Sequence, residues 1–208
     1  MAKAKSAAGA RDAAAAAAAA VGWRGVRVFT VGHSTRPLEE LVALLRAFEV
    51  RVLADVRTIP RSRHNPQFEG PALAAALRAR HLRYAHIGEL GGLRKPRAGS
   101  ENAGWRNASF RGFADYMQTP GFELGLEKLR ALADDGPVAI MCAEAVPWRC
   151  HRSLVADALT VRGADVEHLT SATHASPHHL TPFAVADGAR LTYPPEATAP
   201  ARPARKKA

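Results

Sequence analysis

The chain has 208 residues, of which 29 are lysine or arginine and 19 are aspartate or glutamate, so its formal net charge is +10. Hydrophobic residues make up 47% of it and charged residues 23%, which is typical of a one-domain globular protein and excludes disorder of the whole chain. Its two cysteines are too few for a disulfide scaffold, and no apolar run is long enough for a transmembrane helix. The run Ala13–Ala20 is too weakly apolar for an export signal, so we expect a cytoplasmic protein with free thiols and no membrane partner.

Strand and helix patterns alternate through the middle of the chain. Runs of β-branched and aliphatic residues predict five strands: Val26–Val31, Val50–Val56, Leu82–Ile87, Pro137–Cys142 and Asp165–Leu169. Helical spacing of apolar residues predicts four helices: Pro37–Phe48, Pro71–Arg80, Gly121–Ala133 and Trp148–Arg162. This alternation predicts an α/β fold, a single three-layer domain with a mostly parallel sheet and helices on both faces. Such sheets bind ligands at the carboxyl ends of their strands.

The two ends of the chain lack these patterns and hold most of the positive charge. Residues 1–25 are rich in alanine and contain four basic residues against one acid, and residues 188–208 contain five against one. Five prolines between Pro182 and Pro203 disfavour packed structure near the carboxyl terminus. We predict disordered tails over residues 1–25 and 176–208, with one folded domain over residues 26–175.

The loop after the first predicted strand reads Gly-His-Ser-Thr-Arg and leads into a helix. Helix amino termini attract anions, which makes His33 and Ser34 candidate substrate-binding residues. The alternative is that Ser34 or Thr35 only caps the helix.

The loop after the second predicted strand is rich in arginine. Asp55 ends the strand, and Arg57, Arg61 and Arg63 follow within a short, proline-stiffened segment. Clustered guanidinium groups suit phosphate or carboxylate. The alternative is a solvated basic loop in which Asp55 is paired with Arg57.

The loop after the fourth predicted strand carries two thiols. Cys142 ends the strand, and Cys150, His151 and Arg152 begin the next helix. A thiol that faces a helix amino terminus and arginines is expected to have a lowered pKa, as a nucleophile requires. Glu144 is a candidate acid or base in the same loop.

Two other interpretations of these thiols remain open. Cys142 could be an inert buried thiol. Cys142, Cys150 and His151, with Glu144 or His33 as a further ligand, could also bind a metal ion, but no paired Cys-x-x-Cys is present. We predict neither a metal nor a cofactor.

A fourth segment, residues 88–113, is predicted as a long loop after the third strand. Its glycines allow close backbone approach, and Arg94 is a candidate anion-binding residue. Trp105 and Phe110 could stack on a base or anchor the loop.

Motifs from all four segments together resemble the DUF488 family of small bacterial and archaeal proteins of unknown function. The resembling stretches are Thr30–Thr35, Asp55–Arg57, Pro60–Arg63, Glu89–Gly92, Phe110–Met117, Met141–Glu144 and Cys150–Arg152. The resemblance runs from about Val28 to Leu169. It implies an α/β domain and a site built from these loops, and some relatives carry a label tied to DNA repair, but it implies no reaction.

Three functions remain in competition. The first is an enzyme with a pocket lined by cysteine and arginine for an anionic small molecule, phosphate-like or nucleotide-like. The second is a nucleic-acid-binding or DNA-repair-associated protein that uses the basic tails. The third is a non-catalytic metal or anion sensor. The sequence leaves the oligomeric state open.

Overall fold

The computed structural model describes residues 22–195 as a parallel sheet with helices on both faces. The strands are β1 (Arg27–Gly32), β2 (Val52–Asp55), β3 (Arg83–His86), β4 (Val138–Cys142), β5 (Asp165–Ser171), β6 (His174–Pro177), β7 (Val185–Asp187) and β8 (Arg190–Thr192). The helices are α1 (Leu38–Ala47), α2 (Gly70–Arg78), α3 (Ala108–Tyr116), α4 (Pro120–Ala133) and α5 (Arg152–Val161). No helix among these described residues is long and apolar enough to cross a membrane.

The main sheet has the strand order β3-β2-β4-β1-β5-β6. Every pairing in it is parallel except that between β5 and β6. The register places Gly32 of β1 opposite Cys142 of β4, and Asp55 of β2 opposite Met141. The carboxyl ends of the three central strands therefore meet at one edge. The predicted α/β fold is confirmed.

Alternating strand residues form two hydrophobic cores. Phe29, Leu53 and Met141 point toward α1 and α2, where Leu41 and Leu77 are fully buried. The opposite strand faces pack against α3, α4 and α5, through residues such as Val28, Ile140, Phe113, Leu126 and Leu154. Both faces are covered, which explains why the central strands are uniformly apolar.

Helix α3 lies where a loop was predicted. The side chain of Asn107 accepts hydrogen bonds from the backbone amides of Ser109 and Phe110 and so caps the helix. Phe113 on this helix is fully buried. By contrast, α1 begins at Leu38 after Pro37 with no side-chain cap, so the predicted capping by Ser34 or Thr35 is wrong.

The prediction of a disordered tail from residue 176 is wrong for residues 176–195. This segment completes β6 and forms β7 and β8. His178, Thr181 and Tyr193 each donate a hydrogen bond to the fully buried carboxylate of Asp157. A buried carboxylate needs such donors, so the segment is part of the domain.

The amino-terminal boundary also differs from the prediction. Trp23, inside the predicted tail, is only 4% exposed and packs into the core of the α3–α5 face. The rest of the predicted tails, residues 1–21 and 196–208, lies outside the described residues.

Candidate functional site

A pocket of about 360 Å³ opens at the carboxyl ends of β2 and β4. Its lining comes from the loops after β2, β3 and β4, together with the start of α3. The sequence-predicted residues Arg57, Arg61, Cys142, Glu144, Cys150 and His151 all line it. A pocket at this edge is expected for a parallel sheet.

Two free cysteines and one histidine form a close cluster in the pocket wall. His151 Nδ1 lies 3.6 Å from Cys150 Sγ and 4.0 Å from Cys142 Sγ. The other ring nitrogen, Nε2, lies 3.1 Å from the carbonyl oxygen of Val56. Because a carbonyl only accepts hydrogen bonds, Nε2 carries a proton, and Nδ1 is the ring atom that faces both sulfurs.

Two glycines leave space for the side chains and backbone around this cluster. A Cβ on Gly92 would lie 2.4 Å from His151 Nδ1, and a Cβ on Gly32 would lie 1.9 Å from the carbonyl oxygen of Glu144. Both distances are impossible for a side chain without displacing the neighbour. The missing side chain of Gly92 therefore leaves space for the imidazole of His151, and Gly32 lets the loop after β4 fold over β1.

The two thiols differ in acidity. A hydrogen bond from the Cys150 thiol, aided by His151 and Arg152, lowers the pKa of Cys142 although burial opposes this. The same hydrogen bond, together with burial, raises the pKa of Cys150. Cys142, the residue that ends β4, is therefore the thiol of the pair that loses its proton first.

Arg152 is buried beside the thiols without a carboxylate partner. It is 1% exposed, and only its Nη2 has a hydrogen-bond partner among the described residues, the carbonyl oxygen of Ala145. Burial lowers the pKa of its guanidinium, and the nearest negative charges that oppose this are those of Cys150, Cys142 and Glu144. The thiol pair is thus the main counter-charge for this cation.

Arg57 is held rigidly on the other side of the pocket. Its Nε lies 2.9 Å and its Nη2 2.5 Å from the carboxylate of Asp55, which also accepts a hydrogen bond from Tyr84. Its Nη1 donates to His33 Nε2 at 3.3 Å, and His33 Nδ1 donates to the Ser34 carbonyl. Burial, the largest cause, lowers the pKa of His33 and so favours its neutral, accepting form.

Six predicted site residues lie outside the pocket lining: His33, Asp55 and Arg152, described above, and Ser34, Arg63 and Arg94. Arg63 is exposed and lines none of the pocket. The Ser34 amide instead donates to the carbonyl of Ala143, which fastens the loops after β1 and β4 together. The guanidinium of Arg94 stacks on the ring of Tyr116 at 3.6 Å and donates to the carbonyl of Gly91, so it shapes the loop after β3.

Several lining residues were not predicted as site residues: Thr58, Ile59, Gly92, Leu93, Ser109, Phe110, Ala143 and Arg149. The Leu93 amide donates to Thr58 Oγ1 at 3.0 Å, which joins two loops that are distant in sequence. In the sequence, the adjacent glycines at Gly91 indicated that another part of the chain approaches the backbone there. No feature of the sequence marked the exposed Leu93 as a pocket residue. Trp105 packs against Phe110, Phe183 and Tyr193 and so anchors its loop.

The cluster also has the donor set of a metal site. The ligand atoms of Cys142, Cys150 and His151 lie within 4.8 Å of one another. Sulfur and imidazole nitrogen suit a soft or borderline ion such as Zn²⁺, and the Nε2 contact to Val56 would orient the ring as in many metal sites.

A second, larger pocket lies elsewhere and offers less chemistry. Its volume is about 640 Å³, and it lies among α3, α4 and the loop before β8. Its ionisable residues are Glu123, Glu127, Arg162 and Arg190, and Arg162 is already paired with Glu123. It contains no thiol and no histidine, so the cysteine pocket is the better candidate site.

Comparison with known proteins gives one match. The model of a family described as "Domain of unknown function DUF488" matches residues 37–159, more than half of the chain. No curated protein and no solved structure matches the chain. The matched residues include Asp55, Arg57 and the whole thiol cluster but not His33.

Proposed function

The chain belongs to the DUF488 family, and from its pocket we propose that it is a cysteine-dependent enzyme that acts on a small anionic substrate. One observation carries this proposal. The Cys142 sulfur ends a central strand at a pocket wall, beside a second thiol and a histidine whose Nδ1 faces both sulfurs. An inert buried cysteine needs none of these neighbours.

The pocket residues can divide the work of a group transfer. The Cys142 thiolate attacks the electrophilic atom of the substrate, a sulfur bond to that atom forms, and the bond to the leaving group breaks. The leaving group departs with the electron pair and takes the proton that a protonated His151 ring holds on Nδ1, with Glu144 as the other acid or base in the lining of the same pocket. Water in the simplest case then attacks the transferred group, loses a proton to the same bases and releases the thiolate.

The arginines of the pocket account for the anionic substrate. Arg61 and Arg149 are exposed at its wall, and neither side chain has a hydrogen-bond or ion-pair partner among the described residues. Glu144 is the only acidic residue in the lining. Two free guanidinium groups against one carboxylate favour a phosphate or carboxylate ligand.

Alkylation of the full chain with iodoacetamide between pH 4 and pH 10 tests the nucleophile. Peptide mass spectrometry would follow Cys142 and Cys150 separately. We expect Cys142 to react at a pH well below the value of about 8.5 at which a free cysteine ionises, and Cys150 to react more slowly.

Two results would contradict the proposal. The first is an ordinary pH profile for Cys142 together with a Cys142→Ser variant that keeps every measured activity. The second is about one equivalent of zinc bound to protein purified without a histidine tag, which would favour a metal sensor. The Glu127→Gln variant is the control for the activity measurements. It should behave as the original chain does, since Glu127 lies in the other large pocket.

A further inference from the structure

We infer that the ligand of this pocket is a phosphate ester of a flat aromatic group, the chemistry of a nucleotide, and that Trp148, Ile59 and Leu93 receive its aromatic part. The inference rests on the proposed function, because it names the substrate class of the same site. It uses residues that the proposed chemistry leaves without a role.

Two large exposed apolar side chains line the pocket, and a third is adjacent to a lining residue in the sequence. Ile59 is 56% exposed and Leu93 72% exposed, and both line the pocket. Trp148 is 71% exposed and directly precedes the lining residue Arg149. Only three other large hydrophobic residues among residues 22–195 are comparably exposed, Leu124, Leu180 and Val185, and none of them lines this pocket.

The loops that carry Ile59 and Leu93 are joined to each other, and Trp148 lies in a regular turn. Thr58 accepts a hydrogen bond from the Leu93 amide, and a Cβ on Gly91 would lie 2.5 Å from Thr58 Oγ1. Trp148 sits in the short helical turn Pro147–Arg149. Exposed apolar groups on fixed backbone leave little conformational entropy to lose when a ring packs on them.

The charge and the volume of the pocket indicate which class of apolar ligand it binds. The unpaired guanidinium groups of Arg61 and Arg149 lie at the same mouth, so a purely hydrocarbon ligand leaves them unused. The volume of about 360 Å³ lies near the lower end of small-molecule sites and is of the size of one mononucleotide. Indole and guanidinium side chains both stack on nucleobases. We therefore expect the apolar part of the ligand to be aromatic and not aliphatic.

Calorimetric titration of the full chain with the four 5′-mononucleotides tests this inference. Inorganic phosphate and the matching nucleosides are the comparison ligands. We expect at least one mononucleotide to bind about tenfold or more tightly than phosphate and than its own nucleoside. The Trp148→Ala variant is expected to lose most of this advantage while it binds phosphate as before, since an exposed side chain contributes little to folding.

The fluorescence of Trp148 gives a second, local measurement. Trp23 is buried and Trp105 is half-buried in an aromatic cluster, so acrylamide quenching reports mainly on Trp148. A mononucleotide should reduce quenching in the original chain. A 5′-phosphorylated trinucleotide distinguishes the two sources of the ligand, because tighter binding of it than of the mononucleotide identifies the end of a nucleic-acid strand.

Equal affinity for phosphate and every mononucleotide would overturn the inference. So would a dimer in sedimentation velocity that Trp148→Ala dissociates, because the apolar mouth would then be a subunit interface. Failure of the proposed function is a separate result: Cys142 would show the alkylation profile of a free cysteine whether or not a nucleotide binds.

Discussion

Two buried arginines flank Cys142, and their surroundings are opposite. Arg57 is 5% exposed, and its Nε, Nη1 and Nη2 contact Asp55, His33 and the carbonyl of Phe68. Arg152 is 1% exposed, yet its Nε and Nη1 have no partner within the described part of the chain. Burial would lower the pKa of Arg57, but the hydrogen bonds and charge of Asp55 raise it, whereas burial does lower the pKa of Arg152.

The contrast separates a structural cation from one that serves a reactive group. The charge of Arg57 is compensated by Asp55, so it fixes the loop after β2 and contributes little to stabilising a new anion. A buried cation without a carboxylate is costly, and it persists where function requires it. The Cys142 thiolate is an anion that this cation can stabilise. Arg152 helps to lower the pKa of Cys142.

The Arg57→Met variant should have the largest effect. It leaves the fully buried carboxylate of Asp55 without its cation, so we expect the free energy of unfolding to fall by about 3–5 kcal/mol in urea denaturation. The double variant Asp55→Asn with Arg57→Met removes both charges and should recover part of the loss. If the double variant is less stable than Arg57→Met alone, the pair does not account for the effect.

The Arg152→Met variant should behave in the opposite way. Arg152 has no carboxylate partner among the described residues, and the thiol pair can take up a proton when the cation is removed, so the free energy of unfolding is expected to stay unchanged or to rise by up to about 2 kcal/mol. The pH at which Cys142 becomes reactive toward alkylation should rise, because the thiolate loses a nearby cation. A variant as unstable as Arg57→Met, with unchanged Cys142 reactivity, would show that the two arginines are alike.

The Cys150→Ala variant isolates the hydrogen bond between the thiols. Its loss should raise the pKa of Cys142, since this bond is the largest cause of the lowering, and each unit by which the pKa exceeds 6 slows alkylation at pH 6 by about tenfold. Cys150→Ser keeps a hydroxyl donor and should slow the reaction less. Equal rates for the original chain and both variants would assign the reactivity of Cys142 to other groups.

The last prediction concerns pH, and it rests on His168, a histidine that senses the charge of Arg152. Burial, with smaller contributions from His178 and Arg152, lowers the pKa of His168 to about 4, against 6.5 for an unfolded chain. The unfolded state then binds more protons between pH 6.5 and pH 4, so the free energy of unfolding should decrease as the pH falls through this window. Urea denaturation at several pH values measures the slope, and His168→Gln should flatten it relative to the original chain.

Periodicity in the sequence predicted most of the sheet. The apolar runs that end at Val31, Asp55 and Cys142 indicated buried parallel strands, and parallel strands bring their carboxyl ends to one edge. The convergence of Arg57, Cys142, Glu144, Cys150 and His151 follows from that rule. Distances within the cluster could not be predicted, because the close approach of Gly92 to His151 depends on the fold of a long loop.

Two other features were beyond local patterns. The carboxyl-terminal segment is rich in proline and histidine, yet three of its side chains bind Asp157, a residue that reads as an exposed polar position of a helix. Arg152 and Arg57 look alike in the sequence, because each follows a buried strand. Only the three-dimensional partners, Asp55 for one and the thiols for the other, distinguish them.

The strand order also determines which part of the chain can be cut out and still form the complete sheet. The family model spans residues 37–159, but β1 (Arg27–Gly32) lies between β4 and β5 in the sheet. A fragment cut to the matched residues would lack this strand and β5, and β4 would then become an unpaired sheet edge beside the reactive thiol. Deletion series and domain fusions that aim to keep the pocket should therefore retain residues 22–195, well beyond the family boundaries.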